Sequence, residues 1–189
     1  MRSCVLFLAV LISCASAHAA PATPAAKTCQ TLHFKSPVEG SIKFGMKKAE
    51  AEAALKKAYK TAIGRSLDET RTKFVIPNHK TLDGIILEYT LGVVTKIVAS
   101  YSNQFQDQLG GHGPASVTLL KQLIAKYGDP DSNEPFNNDK AIKVFWKKNG
   151  QVMFLVVNED GRVLFLISEC DELKVDLTEN AGKQANFGI

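Results

Sequence analysis

Apolar and polar positions recur along this chain with two different periods, and each change of period marks an element. From Met46 to Lys60 the period is helical. Ala51, Leu55, Ala58 and Ala62 fall three to four residues apart in a stretch rich in Ala, Lys and Glu, and Gly64 supplies a stop. Ile42 and Phe44 predict a short extended entry. The period then drops to two. Phe74-Val75-Ile76 ends at Pro77, and Ile85, Leu87, Tyr89 and Leu91 alternate with Ile86, Glu88 and Thr90. Beyond a turn at Gly92, Val93, Ile97, Ala99 and Tyr101 continue the pattern, with Lys96 and Ser100 on the other side.

Gly110-Gly111-His112-Gly113 leads to Pro114, a favoured first helical residue. The second helix carries a stripe of Val117, Leu120, Ile124 and Tyr127, widened by Leu119 and Leu123, and ends at Gly128-Asp129-Pro130. Three strands follow. Ile142, Val144 and Trp146 alternate with Lys143, Phe145 and Lys147, and Asn149-Gly150 is a strong hairpin signal. Val152 to Val157 is apolar on both sides, as in a central strand. Asp160-Gly161 turns the chain, and Val163, Phe165 and Ile167 run back. The tail after Asp171 reads as polar on the whole.

The expected fold is therefore α+β: an antiparallel six-stranded sheet, or sheets, with two helices on one face, in the order helix-strand-strand-strand repeated twice. Tyr59 and Tyr127 close the two helices at equivalent points, and the turns at Gly92 and Gly161 share nearly the same offset. Repeat halves would span 41–105 and 110–170 within one domain of residues 41–175, followed by a flexible tail of 176–189. Short turns between strands require antiparallel pairing, and helices on one side would cover the apolar face.

The beginning of the chain reads as an address. Met1-Arg2-Ser3 is a basic start, Cys4 to Ile12 is an apolar run, and Ala17-His18-Ala19 is a small-x-small cleavage pattern. About nine apolar residues fall well short of the roughly twenty that span a bilayer, so residues 1–19 read as an export signal. Residues 20–40, rich in Ala and Pro, read as a linker arm. The expected location is the periplasm or the exterior. Leu11-Ile12-Ser13-Cys14 opens an alternative, because it resembles a bacterial lipobox. Acylation of Cys14 would make the chain an outer-membrane lipoprotein, and a lipid anchor is expected only in that case. No transmembrane span is expected.

Composition adds bounds. The chain is 45% hydrophobic and 22% charged, which is ordinary for a globular protein. Its formal charge is +4, and Arg2 leaves with the signal. The lysines come as scattered pairs and not as a basic stripe with interleaved aromatics, which argues against a nucleic-acid partner. Of four cysteines, Cys29 and Cys170 remain after cleavage. In an oxidising compartment two thiols pair. A Cys29–Cys170 bridge would close a loop of about 140 residues, which chain-entropy arguments value at roughly 5 kcal/mol.

The segment from Ile42-Lys43-Phe44-Gly45-Met46 through Lys47-Lys48-Ala49-Glu50-Ala51 to Leu55 resembles the glycine–methionine helix start of a group of small exported proteins. That group includes the small outer-membrane-assembly lipoproteins and the β-lactamase-inhibitor-like proteins. The resemblance implies helices with antiparallel sheets, often in tandem repeats, and a function in binding other proteins. It covers about fourteen residues and transfers no functional residue. Where the group has a Gly-x-Pro exit, the first helix here runs into Lys56-Lys57-Ala58-Tyr59, and only the second ends in Gly128-Asp129-Pro130.

Signals for chemistry are sparse. His33, His79 and His112 lack zinc spacing, although His112, before a helix, is placed for an anion contact. Asp129, Asp131, Asn133 and Glu134 are rich in oxygen but miss the calcium-loop pattern, which needs Gly where Glu134 stands. Asp83 and Glu88 are a candidate carboxylate pair. Ser66, Ser102 and Ser116 have no nucleophile-elbow context. No catalytic residue, cofactor or metal ligand is assigned. Alternation places Trp146 in the core and Phe145 between Lys143 and Lys147 on the opposite face, a candidate contact surface. Two functions follow. The first is a non-catalytic protein-binding module of the bacterial envelope, with a protein partner there; an assembly factor, an inhibitor and an immunity-type protein all fit. The alternative is a periplasmic small-ligand binder or hydrolase using a cleft around His112.

Overall fold

The computed structural model describes Val38 and residues 42–111, 113–137 and 140–186, with side chains as far as 182. The chain enters through a turn at Phe44-Gly45 into helix α1 (Lys48–Ala58). Four strands follow as a meander: β1 (Ile63–Asp68), β2 (Arg71–Val75), β3 (Leu82–Thr90) and β4 (Val93–Tyr101). Helices α2 (Asn103–Gln108) and α3 (Pro114–Tyr127) then carry the chain to a second meander. This comprises β5 (Ser132–Phe136), β6 (Ala141–Lys148), β7 (Gln151–Asn158) and β8 (Val163–Cys170), and α4 (Asp171–Asn186) closes the fold. All eight strands form one sheet in the order β1-β2-β3-β4-β8-β7-β6-β5, and every neighbouring pair is antiparallel. The meanders meet at β4 and β8, where Lys96, Val98 and Ser100 oppose Glu169, Ile167 and Phe165.

This corrects the expected fold. The sheet has eight strands and not six, four helices are present and not two, and the unit of three strands after a helix does not occur. The extra strands are the edges. β1 is exposed at five of its six residues and β5 at four of its five. Neither buries alternate side chains, so neither shows a period of two; backbone pairing with β2 and β6 holds them. The segment after Asp171 is helical because Asp171 and Glu172 favour the positive end of the helix dipole, and because Leu173 and Leu177 meet the core. The α2 turn is set by Ser102, whose Oγ accepts the Phe105 N–H at 3.1 Å. Ile42 and Phe44 are buried but form no strand; the nearest ladder contact is a bridge from Lys47 to Val93.

One face of the sheet carries the main core. Phe74, Leu87, Ile97, Met153 and Leu155 pack there against Ala51 and Leu55 of α1, Leu119 and Leu123 of α3, and Leu173 of α4. The buried face of α3 is centred on Ala115, Leu119 and Leu123. Val117, expected within the apolar stripe, is 51% exposed, so the buried face is rotated toward the residues that widen it. Trp146 lies in the core, as alternation implies, and donates from Nε1 to the Gly128 carbonyl at 2.9 Å. Cys170 is buried at the end of β8, and Cys29 and Cys14 lie outside the described residues. No described helix is long and apolar enough to cross a membrane.

Candidate functional site: the second face of the sheet

The opposite face holds a separate apolar cluster. Ala141, Phe154 and Val156 are buried, with Phe145, Val152, Leu164, Phe165 and Ile167 packed around them. None of these residues belongs to a helix. Strand register arranges the face in rows that run across the sheet. The middle row reads Ser132, Phe145, Phe154, Ile167, Val98, Ile86, Lys73 and Arg65, from β5 to β1. It is apolar from β6 through β3 and ends in two cations.

The second row is charged. Lys147 and Val152 lead to Glu169, Lys96, Glu88, Arg71 and Asp68. Signs alternate from Glu169 onward, the favourable arrangement for cross-strand neighbours. Lys96 Nζ lies 3.5 Å from Glu169 and 3.7 Å from Glu88, so one cation couples both meanders at their junction. At the β1 end, the Arg71 guanidinium and the Thr70 hydroxyl hold the Asp68 carboxyl down, to about 2. Arg71 Nε donates to Asp68 Oδ2 at 2.7 Å. Because the folded value lies below the unfolded one, any stability this carboxylate adds is complete above about pH 4 and is lost as pH falls toward 2. Arg71→Ala is expected to return Asp68 most of the way to the ordinary value of about 3.9, read by NMR titration of the carboxyl carbon. A carboxyl still titrating near 2 would assign the effect to Thr70 alone.

Phe145 and Phe154 pack at a centroid separation of 5.2 Å. Lys143 Nζ lies 4.3 Å from the Phe136 ring centre and 5.3 Å from that of Phe154, and Lys147 Nζ lies 5.8 Å from Phe145. These are cation–π distances. Alternation in the sequence had singled out Phe145, Lys143 and Lys147 for one face, and the structure brings them together. Phe136 completes the group from the edge strand β5, and no periodic signal marked it. His112, the fourth residue singled out, lies outside the described residues, as does His33.

The other candidates for chemistry are local structure. His79 stacks edge-on to Tyr59 at 5.4 Å, and its Nδ1 accepts the Thr81 and Leu82 N–H groups at 3.3 and 3.1 Å. It shapes the turn before β3. Asp83 and Glu88 lie five residues apart on one extended strand, about 17 Å, too far to share a proton transfer; Glu88 pairs with Lys96. Ser66 and Ser116 donate to backbone carbonyls of Asp68 and Gly113, and Ser102 caps α2. Asp131 accepts the Lys147 N–H at 2.6 Å and so fastens the loop before β5 to β6. Among the described residues, no group of three or more His, Cys, Asp or Glu side chains is placed to hold a metal ion. On the helix side, Glu52 Oε1 accepts from Thr72 Oγ1 at 2.7 Å and from the Tyr89 hydroxyl at 3.3 Å. Burial, together with the Glu52 charge, pushes the Tyr89 hydroxyl up to about 12.

No family model matches the chain, and no curated protein does. Among solved structures it is similar to a DUF4309 family protein (YjgB) from Bacillus subtilis subsp. subtilis str. 168. The two share 12% identity over 63% of this chain and 77% of that one, with a TM-score of 0.41. A likeness at that level carries no argument about fold or function.

Proposed function

We propose that this chain is a non-catalytic binding module that docks a protein partner on the second sheet face, across β6, β7 and β8. One observation carries the reading: an aromatic cluster, Phe136, Phe145 and Phe154, lies under Lys143 and Lys147 on a face to which no described helix contributes a residue of the apolar cluster. Aromatic residues are enriched at protein interfaces, where they act as anchors. The lysines favour a partner with an acidic rim around an apolar centre. The export signal read in residues 1–19 and the resemblance of the Gly45-Met46 helix start to small exported binding proteins support a partner in the cell envelope. In that compartment Cys29 is the proposed partner of Cys170.

A photo-crosslinking residue at position 145 tests this. In envelope preparations it should capture one discrete protein, while the same residue at Val117, exposed on α3, should not. Phe145→Ala, in a chain without the crosslinker, should weaken binding of the captured protein on the order of 30-fold, the effect of losing about 2 kcal/mol at an interface anchor. Equal labelling from both positions, or none from 145, would remove the face from consideration.

A further inference from the structure

The two edges of the sheet differ. β5 contains Pro135, which has no N–H to offer a new strand, and Glu134 beside it. β1 contains no proline. From Ile63 to Ser66 it keeps regular register with β2, and its bulge comes only after Ser66. Among the described residues β1 has no neighbour on its other side. Ile63 and Leu67 are 64% and 45% exposed.

The charges around this edge are unbalanced. Arg65 stands directly opposite Lys73 on the second sheet face. Like charges in that position cost stability, and among the described residues no carboxylate lies within ion-pair distance of either. On the helix side a cavity of about 250 Å³ separates β1 and β2 from α1, with Lys48 and Lys56 on its wall. Glu52, the acid between them, is engaged by Thr72 and Tyr89. Gly64 borders the cavity. A Cβ there would come within 2.8 Å of the Phe74 ring, so glycine is what lets β1 lie against that buried side chain.

We infer that the β1 edge accepts an extended acidic peptide segment of a partner protein by strand addition. Main-chain hydrogen bonds along Ile63–Ser66 would supply affinity, and alternate side chains would supply specificity. A carboxylate opposite Arg65 would relieve the Arg65–Lys73 apposition. Carboxylates on the adjacent positions would face the Lys48 and Lys56 side. A second copy of this chain fits poorly, because an antiparallel β1–β1 pair centred on Arg65 sets Arg65 against Arg65.

The probe is a labelled eight-residue peptide, Glu-Glu-Thr-Thr repeated twice, which carries carboxylates on both faces of an extended strand; it is titrated into the mature protein at low salt and followed by anisotropy. Saturable binding is expected, with slowed amide exchange at residues 63–66. Arg65→Glu and Lys56→Glu should each weaken it about tenfold, and Phe145→Ala should leave it unchanged. No saturable binding would overturn the inference. So would equal binding of a lysine–threonine peptide, binding without protection at 63–66, or self-association through β1 that the peptide fails to compete. Because Phe145 is outside this site, failure here leaves the docking face of β6–β8 standing, and the reverse also holds.

Discussion

Replacing Trp146 with alanine is expected to lower the unfolding free energy by about 3 to 5 kcal/mol, the usual cost of truncating a buried aromatic side chain. Trp146 is 2% exposed and joins the core between the sheet and its helices. Its indole also ties β6 to the end of α3, through the Gly128 carbonyl at 2.9 Å. The alanine variant loses the packing and leaves that acceptor without its partner. Trp146→Phe separates the two effects. It keeps most of the apolar volume and gives up the hydrogen bond, so it should cost about 1 to 2 kcal/mol. Urea unfolding followed by circular dichroism reads both. A loss below about 1 kcal/mol for the alanine variant would show that the indole is not a core element.

Gly161→Ala should be nearly as damaging, on the order of 2 to 4 kcal/mol. Gly161 turns β7 into β8 at a φ of 72°, where a side chain is strained. A Cβ there would also lie 2.5 Å from the Gly113 Cα and 2.8 Å from its nitrogen. That contact is backbone against backbone and has no flexible end to swing away. It is also where the Gly113 N–H donates to the Gly161 carbonyl at 3.1 Å, holding the start of α3 against the turn. Gly92→Ala is the comparison. Gly92 has a similar φ of 74° but nothing within 4 Å of an added Cβ, so it should cost only about 1 kcal/mol. Equal losses for the two variants would mean that close approach contributes nothing at Gly161.

What could be read beforehand followed burial. The six strands with alternating or continuous apolar residues were visible because one or both of their faces are covered. β1 and β5 were invisible because an edge strand that buries little is free to be Ile-Gly-Arg-Ser-Leu-Asp or Ser-Asn-Glu-Pro-Phe. The limits of α3 were legible from Pro114 and Gly128, but its orientation was not. Which side of an apolar stripe meets the sheet depends on the crossing of helix and strands, and here that crossing favours Ala115 over Val117. Alternation along β6 divided Trp146 from Phe145, Lys143 and Lys147 correctly. It did not imply that Ile142, in phase with Trp146, would be 54% exposed beyond the reach of the helices. The triad of Glu88, Lys96 and Glu169 had no signature, since its members meet only when distant strands pair. Phe136 had none because its strand had none.

The β4–β8 junction is the one strand pairing among those described that joins segments distant in the chain; the other six join consecutive strands. Each meander can therefore zip from its own turns, while the seam must wait for a search across the whole intervening length. The closing of that seam is therefore the step expected to set the pace of folding. Until it closes, each nascent molecule displays two sticky borders that match those of its neighbours as well as its own, so crowded refolding should yield intertwined pairs that have traded C-terminal halves.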